Sequence, residues 1–214
     1  MNRLKNINLI IWDWNGTLLD DVNMCVNAIN LLLTDRGLPV IDKTRYQQIF
    51  TFPVKDYYEK AGFNFEKEPF EIPAMQFMDL YRAHLIHAGL HSESTRVLKT
   101  LKSMGIKQVV LSAMEQELLN ELLLRYNISG CFEGAFGIDN HYGTGKIERG
   151  KELIHHMKLN PEECLLIGDT LHDADVAYEL GCKCLLFDGG HQSRIRLESS
   201  GHTILSKLSE LFAY

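Results

Sequence analysis

Four short stretches of this chain are apolar at nearly every position: residues 7–12, 108–111, 164–167 and 184–187. A strand buried on both faces reads this way, so each run predicts a strand of a parallel sheet. Between them the apolar spacing changes to that of a helix. Residues 115–126 carry leucines at 118, 119, 122 and 123, and residues 147–157 place Leu153, Ile154 and Met157 along one side. Strand and helix in alternation predict an α/β fold, a Rossmann-like, doubly wound parallel sheet with helices on both faces.

The alternation breaks once. After the first strand, about seventy residues pass without a convincing strand, far longer than an ordinary connection. Within them 22–33 is amphipathic and stops at Gly37-Leu38-Pro39, 54–61 stops at Gly62, and 72–88 stops at Gly89. Three or four helices there predict an α-helical cap, residues 18–89, inserted into a core made of residues 1–17 and 90–214.

Composition narrows the function. The net charge is −6 with no Lys/Arg-rich stretch, which argues against a grip on nucleic acid. The apolar run at the start is cut by Asp13 before it reaches signal-peptide length, and no window approaches a membrane span. A cytoplasmic location without membrane contact is the expectation. The five cysteines are odd in number and scattered, and are expected to be reduced and mostly buried. The spacing of His84, His87 and His91, without acidic partners nearby, is that of a surface more than a metal site.

Chemistry enters at the strand ends. Asp13 follows the first apolar run and precedes the turn Asn15-Gly16-Thr17, which is where open α/β sheets hold ligands. A carboxylate there can attack phosphorus if a metal offsets the repulsion of two anions, or it can simply form an Asx turn. Gly168-Asp169 ends the third run, and Asp173 follows at the start of the next helix. Oxygens from Asp13, Asp169 and Asp173 suit Mg²⁺, although capping is the alternative role for Asp173. Ser112 ends the second run just ahead of a helix and could hold phosphate oxygens at that helix N-terminus. Lys146 precedes another helix and could neutralise charge on a nucleophile and phosphoryl group. Trp12 is expected in the core; Trp14 falls at the turn and could help shape the site.

Asp13-x-Asn15-Gly16-Thr17, Ser112, Lys146 and Gly168-Asp169-x-x-x-Asp173, in that order, resemble the four motifs of the haloacid dehalogenase superfamily. The wider context, Gly16-Thr17-Leu18-Leu19-Asp20 and Gly168-Asp169-Thr170 leading to Ala177 and Gly181, is similar to its phosphoglycolate-phosphatase-like branch. The resemblance implies a Mg²⁺-dependent phosphatase acting on a small phosphorylated metabolite. Asp13 would be the nucleophile, forming an aspartyl-phosphate, and also a metal ligand. The Asn15 carbonyl and Asp169 would be further ligands, with Asp173 binding directly or through water. Ser112 and the Ala113 amide would hold phosphoryl oxygens, Gly16 and Thr17 complete the substrate-binding set, and Lys146, in preference to Lys151, fills the motif-three position.

The pattern departs from the family at Asn15, where its phosphatases usually carry a second Asp that protonates the leaving oxygen. An amide cannot exchange that proton. The substrate would then have a good leaving group, or a cap residue such as Lys55, Tyr57 or Tyr58 would donate, or the Asn15-Gly16 pair would deamidate. A phosphonatase-like enzyme using Lys55 as a Schiff base, and a phospho-metabolite binder with little turnover, are the alternative functions. Oligomeric state is open.

Overall fold

The computed structural model describes residues 4–138 and 145–212. The first strand, β1 (Leu9–Trp12), shows why the run is apolar throughout. Ile10 and Trp12 enter one packed core and Leu9 and Ile11 the other, because alternate side chains leave a strand on opposite faces. Strands β4 (Lys107–Glu115), β6 (Cys164–Gly168) and β7 (Lys183–Phe187) repeat this: Val110, Ile167 and Phe187 lie on the side of Trp12, and Val109, Leu166 and Leu186 on the side of Ile11. Two shorter strands that the apolar pattern does not reveal, β5 (Gly134–Ile138) and β8 (Thr203–Leu205), complete a six-stranded sheet. Its order is β5-β4-β1-β6-β7-β8, with every pair parallel. The expected doubly wound α/β fold is the fold observed.

The chain leaves β1 for β4 on one side and later returns to β6 on the other. A crevice therefore opens at the carboxyl ends of β1, β4 and β6, the switch point of such sheets. Trp12 is level with Val110 and Ile167 across the two pairings. The residues just past them, Asp13 and Gly168-Asp169, emerge side by side.

Between β1 and β4 the chain forms a short antiparallel ribbon, β2 (Leu19–Asp20) with β3 (Gly89–Leu90), and the residues between its strands are helical. Helix α1 (Val22–Asp35) ends as its sequence predicts: Gly37 has φ 64° and the Leu38 amide bonds back to the Leu33 carbonyl at 2.9 Å. Helices α2 (Lys43–Ile49), α3 (Val54–Ala61) and α4 (Glu71–His84) follow, α3 stopping at Gly62. The helix expected over 72–88 is shorter than its pattern, because Leu85–His87 tightens into a 3₁₀ turn. The core side of the fold is completed by α5 (Ser94–Ser103), α6 (Gln116–Arg125), α7 (Lys146–His156), α8 (Leu171–Leu180) and α9 (Arg194–Glu198). Among the described residues no helix is long and apolar enough to cross a membrane.

Candidate active site

Asp13 is buried, and its amide donates to the Ile167 carbonyl at 2.9 Å, which ties the end of β1 to β6. The turn after it folds back on itself, the amides of Leu18 and Leu19 both donating to the Trp14 carbonyl. That turn swings Thr17 inward. Its buried hydroxyl lies 3.2 Å from Asp13 Oδ2 and 2.9 Å from Asp169 Oδ1, so it can donate to either carboxylate. Gly16 sits at φ 75°, and a Cβ on it would lie 2.4 Å from Asp169 Oδ2; only glycine meets both conditions.

Asp169 leaves the end of β6 and is fully buried, with the His191 backbone amide donating to its Oδ2. Asp173 does two jobs. As the third residue of α8 it closes a capping box, its Oδ2 accepting from Thr170 N at 3.0 Å and Thr170 Oγ1 at 2.7 Å. Its Oδ1 accepts from Lys146 Nζ at 2.6 Å, and Lys146 also pairs with Asp13 Oδ1. Lys146 is the first residue of α7 and is buried, so it is a shared counter-ion between two carboxylates.

Burial raises Asp13 to about 6, against the opposing pull of Lys146. Asp169 is pushed well above the ordinary carboxylate range by burial, with His191 pulling it back and Asp13 and Asp173 pushing further. Asp173 is also penalised by burial, but Lys146 and Thr170 outweigh that and hold it below its usual value. Two of these three buried carboxylates thus share one ammonium, and Asp169 has His191 as its cationic neighbour. Asp13, Asp169 and Asp173 each offer an oxygen within 4.8 Å of the others. Hard oxygen donors with excess negative charge at that spacing fit a divalent cation.

A second buried network adjoins this one. Asp21 Oδ2 accepts from Asn15 Nδ2 at 2.7 Å and from the Tyr81 hydroxyl at 2.8 Å, while its Oδ1 accepts from the Gly16 amide at 2.9 Å. His191 Nε2 is 3.2 Å from the same Oδ1, and Tyr46 OH lies 2.9 Å from His191 Nδ1. Burial disfavours the charged imidazole, yet Asp21 and Asp169 raise His191 to about 9. Above both networks is a cavity of about 190 Å³. Asp13, Asn15, Ala113, Lys146, Asp169 and Asp173 line its floor, and side chains of α2, α3 and α4 line its roof.

The family model for haloacid dehalogenase-like hydrolases matches residues 7–181. The chain belongs to this family. It is 26% identical to the phosphoglycolate phosphatase of Aquifex aeolicus, the match covering 83% of each chain. It is also 26% identical to that of Nitrosococcus oceani, over 97% of this chain and 96% of the relative. Among solved structures, a haloacid dehalogenase-like hydrolase of Streptococcus pneumoniae superposes with a TM-score of 0.85 at 22% identity, covering 98% of this chain and 99% of that one. The superfamily and branch that the motifs resemble are those the comparisons return.

Within this hydrolase the two lysines offered for motif three separate clearly. Lys146 reaches Asp13, whereas Lys151 is exposed and 3.5 Å from Glu179. Tyr142 to Thr144 of the same stretch lie outside the described residues. Ser112 is buried but does not end its strand. β4 runs on to Glu115 with a register irregularity between Leu111 and Glu115, and α6 begins only at Gln116. The Ser112 hydroxyl accepts from the Met114 amide at 3.0 Å, so the expected strand end at Ser112 is corrected, whereas the helix expected from about Glu115 starts one residue on. Trp12 is in the core with Nε1 donating to Gln108, and Trp14 is equally buried, packed 6.2 Å from Tyr126. Trp14 is therefore core and does not line the cavity.

Lys55 is exposed, its ammonium 5.6 Å from the centre of the Phe65 ring, and it does not line the cavity; Tyr57 and Tyr58 do. His172 lines the cavity too, packed against Phe52. His84 and His91 each turn to a backbone carbonyl, of Leu80 and Gly16. The residues that sequence reasoning missed are Asp21, Tyr46, Tyr81 and His191. The one signal for His191 was its place after Gly189-Gly190, beyond an apolar strand. Gly190 lies so close to the site that a Cβ on it would stand 2.1 Å from Asp169 Oδ2.

Proposed function

We propose that this hydrolase is a Mg²⁺-dependent phosphatase of small phosphorylated metabolites, working through an aspartyl-phosphate on Asp13. The observation that carries this reading is the gathering of Asp13, Asp169 and Asp173 oxygens within 4.8 Å of one another, with one buried lysine pairing Asp13 and Asp173. Bound Mg²⁺, held by Asp13, the Asn15 carbonyl and Asp169, would supply the positive charge that lets a carboxylate approach a phosphoryl group. Asp173 would bind the ion directly or through water.

An oxygen of Asp13 attacks phosphorus, the bond to the leaving oxygen breaks, and the resulting acyl phosphate is cleaved by water to return the carboxylate and release phosphate. Lys146 balances the charge on Asp13 while Thr17 fixes its rotamer. Ser112, the Ala113 amide and Gly16 complete the cradle for the phosphoryl oxygens. The helices of residues 18–89 serve as a cap that excludes water from the core formed by 1–17 and 90–214. No side-chain carboxylic acid occupies position 15, so esters with poor leaving groups turn over slowly. A cytoplasmic enzyme acting on a soluble metabolite, with no nucleic-acid partner, accords with the net charge of −6. The similarity to phosphoglycolate phosphatases makes phosphoglycolate the first substrate to try.

The test is Mg²⁺-dependent phosphate release from acetyl phosphate and p-nitrophenyl phosphate. Activity that vanishes with chelator and in Asp13→Asn supports the proposal. Binding of a phosphorylated metabolite with no release under any condition would establish instead the binding module that Asn15, locked to Asp21 and Tyr81, also permits.

A further inference from the structure

The cavity over Asp13 has an uneven lining. Its floor is crowded with carboxylates, while the roof is built from rings, among them Tyr46, Phe50, Phe52, Tyr57, Phe70 and Phe77. Successive rings pack edge to face and offset, Tyr46 against Tyr57 at 5.4 Å and Phe50 against Phe52 at 5.6 Å. They form a rigid apolar wall. Among the described residues that line the cavity, Lys146 is the one lysine or arginine, and it is already held by Asp13 and Asp173. Glu115 lines the cavity too, already paired with Arg82.

A substrate carrying a second anion, such as the carboxylate of phosphoglycolate, would bury that charge among rings, where the lining's cations, Lys146 and His191, are already paired with Asp13, Asp173 and Asp21. An uncharged ring would instead gain apolar contact with the roof. Tyr57 supplies a second, independent observation. It is buried, it lines the cavity, and its hydroxyl has no hydrogen-bond partner among the described residues. Buried hydroxyls are ordinarily satisfied, so this one lacks a partner that a ligand settling against the roof could bring.

We propose that the substrate is a phosphate monoester whose organic part is a single uncharged ring bearing a neutral hydrogen-bonding group that meets Tyr57. This rests on the phosphatase reading for the identity of the phosphoryl end. It departs from that reading's default substrate by assigning the other end to apolar recognition.

The experiment measures binding to the full chain with Mg²⁺ by calorimetry, using three non-hydrolysable probes: benzylphosphonate, 4-hydroxybenzylphosphonate and phosphonoacetate. Benzylphosphonate is expected to bind at least about tenfold more tightly than phosphonoacetate. The 4-hydroxyl is expected to add a further gain of several-fold that disappears in Tyr57→Phe, a variant that keeps the ring and hence the packing. Phosphonoacetate binding as tightly as benzylphosphonate, or no binding of the ring probes, overturns the proposal. A hydroxyl gain that survives in Tyr57→Phe removes Tyr57 from it. Phosphate release from acetyl phosphate reports on the phosphatase reading separately, because that substrate has no ring to recognise. Release with no ring preference sinks this inference alone, and ring preference without release sinks only the phosphatase reading.

Discussion

Asn15 donates its side-chain N–H to Asp21 Oδ2 at 2.7 Å, so the amide at the position where the motif resemblance implies an acid in most phosphatases of the family is fixed by a carboxylate of this same chain. The relationship makes Asn15→Asp informative. Two carboxylates at that distance cannot both ionise easily, and the pair would hold a proton. A protonated acid beside Asp13 is what ester cleavage lacks here. Turnover of alkyl phosphates should rise by roughly 10-fold or more, toward the ~10²–10⁴ typical of general acid–base help. Turnover of acetyl phosphate, whose leaving group needs little protonation, should change far less. Steady-state rates on both substrates decide it, and a fall in ester turnover would remove the missing-acid account of Asn15.

Lys146 bridges Asp13 and Asp173 inside the protein, with all three side chains buried. Lys146→Met deletes the shared cation and leaves two carboxylates in low dielectric. The expected loss is about 3–5 kcal/mol of unfolding free energy at neutral pH, the usual cost of orphaning one side of a buried pair. Part of it should return when Mg²⁺ is added, because a divalent ion answers the same excess charge. Denaturant unfolding with chelator and with Mg²⁺ measures both. Equal stability of variant and parent in chelator would show that the pair contributes nothing.

The parts of this architecture that the sequence reveals are those where one strand or one turn carries the whole signal. β1, β4, β6 and β7 are apolar on both faces and so read as unbroken runs. β5, with the sequence Gly-Ala-Phe-Gly-Ile at the sheet edge, has three of its five positions only partly buried and no such run. β8 has three residues. Asp13, Asp169 and Lys146 are legible because strand ends and a helix start mark them. Asp21, Tyr81 and His191 are not, because their meaning lies in one another. Asp21 follows the ribbon strand β2, Tyr81 sits inside α4 and His191 follows β7, and only the folded chain brings the three together.

The pairing of Asp21 with His191 gives stability a two-sided pH dependence, best read in metal-free protein. His191 is raised from 6.5 to about 9, so the stability it confers is fully present below 6.5 and is lost as pH rises through about 9. Burial pushes Asp21 up, but His191, Asn15 and Tyr81 outweigh it and lower it from 3.8. Its contribution is present above 3.8 and is lost as pH falls through the lower folded value. Thermal midpoints in chelator should therefore decline between pH 6.5 and 9 in the parent, and decline less in His191→Gln. Parallel curves for the two proteins over that window would show that the imidazole is not charged in the fold.

Gly190 tests the link between backbone and candidate metal ligand. A Cβ there would stand 2.1 Å from Asp169 Oδ2 and 2.4 Å from Asp169 Cγ, and neither the loop after β7 nor the end of β6 has room to yield without moving Asp169. Gly190→Ala should consequently fold, since the change touches no apolar contact of either core, yet bind Mg²⁺ less tightly by about 10–100-fold and lose phosphatase activity in proportion. Gly130→Ala is the matched control, because a Cβ at Gly130 meets nothing within 4 Å. Calorimetric Mg²⁺ titration of the two variants separates the outcomes. Unchanged Mg²⁺ affinity in a folded Gly190→Ala would mean that Asp169 is not a ligand, and the cation would have to be held by other oxygens.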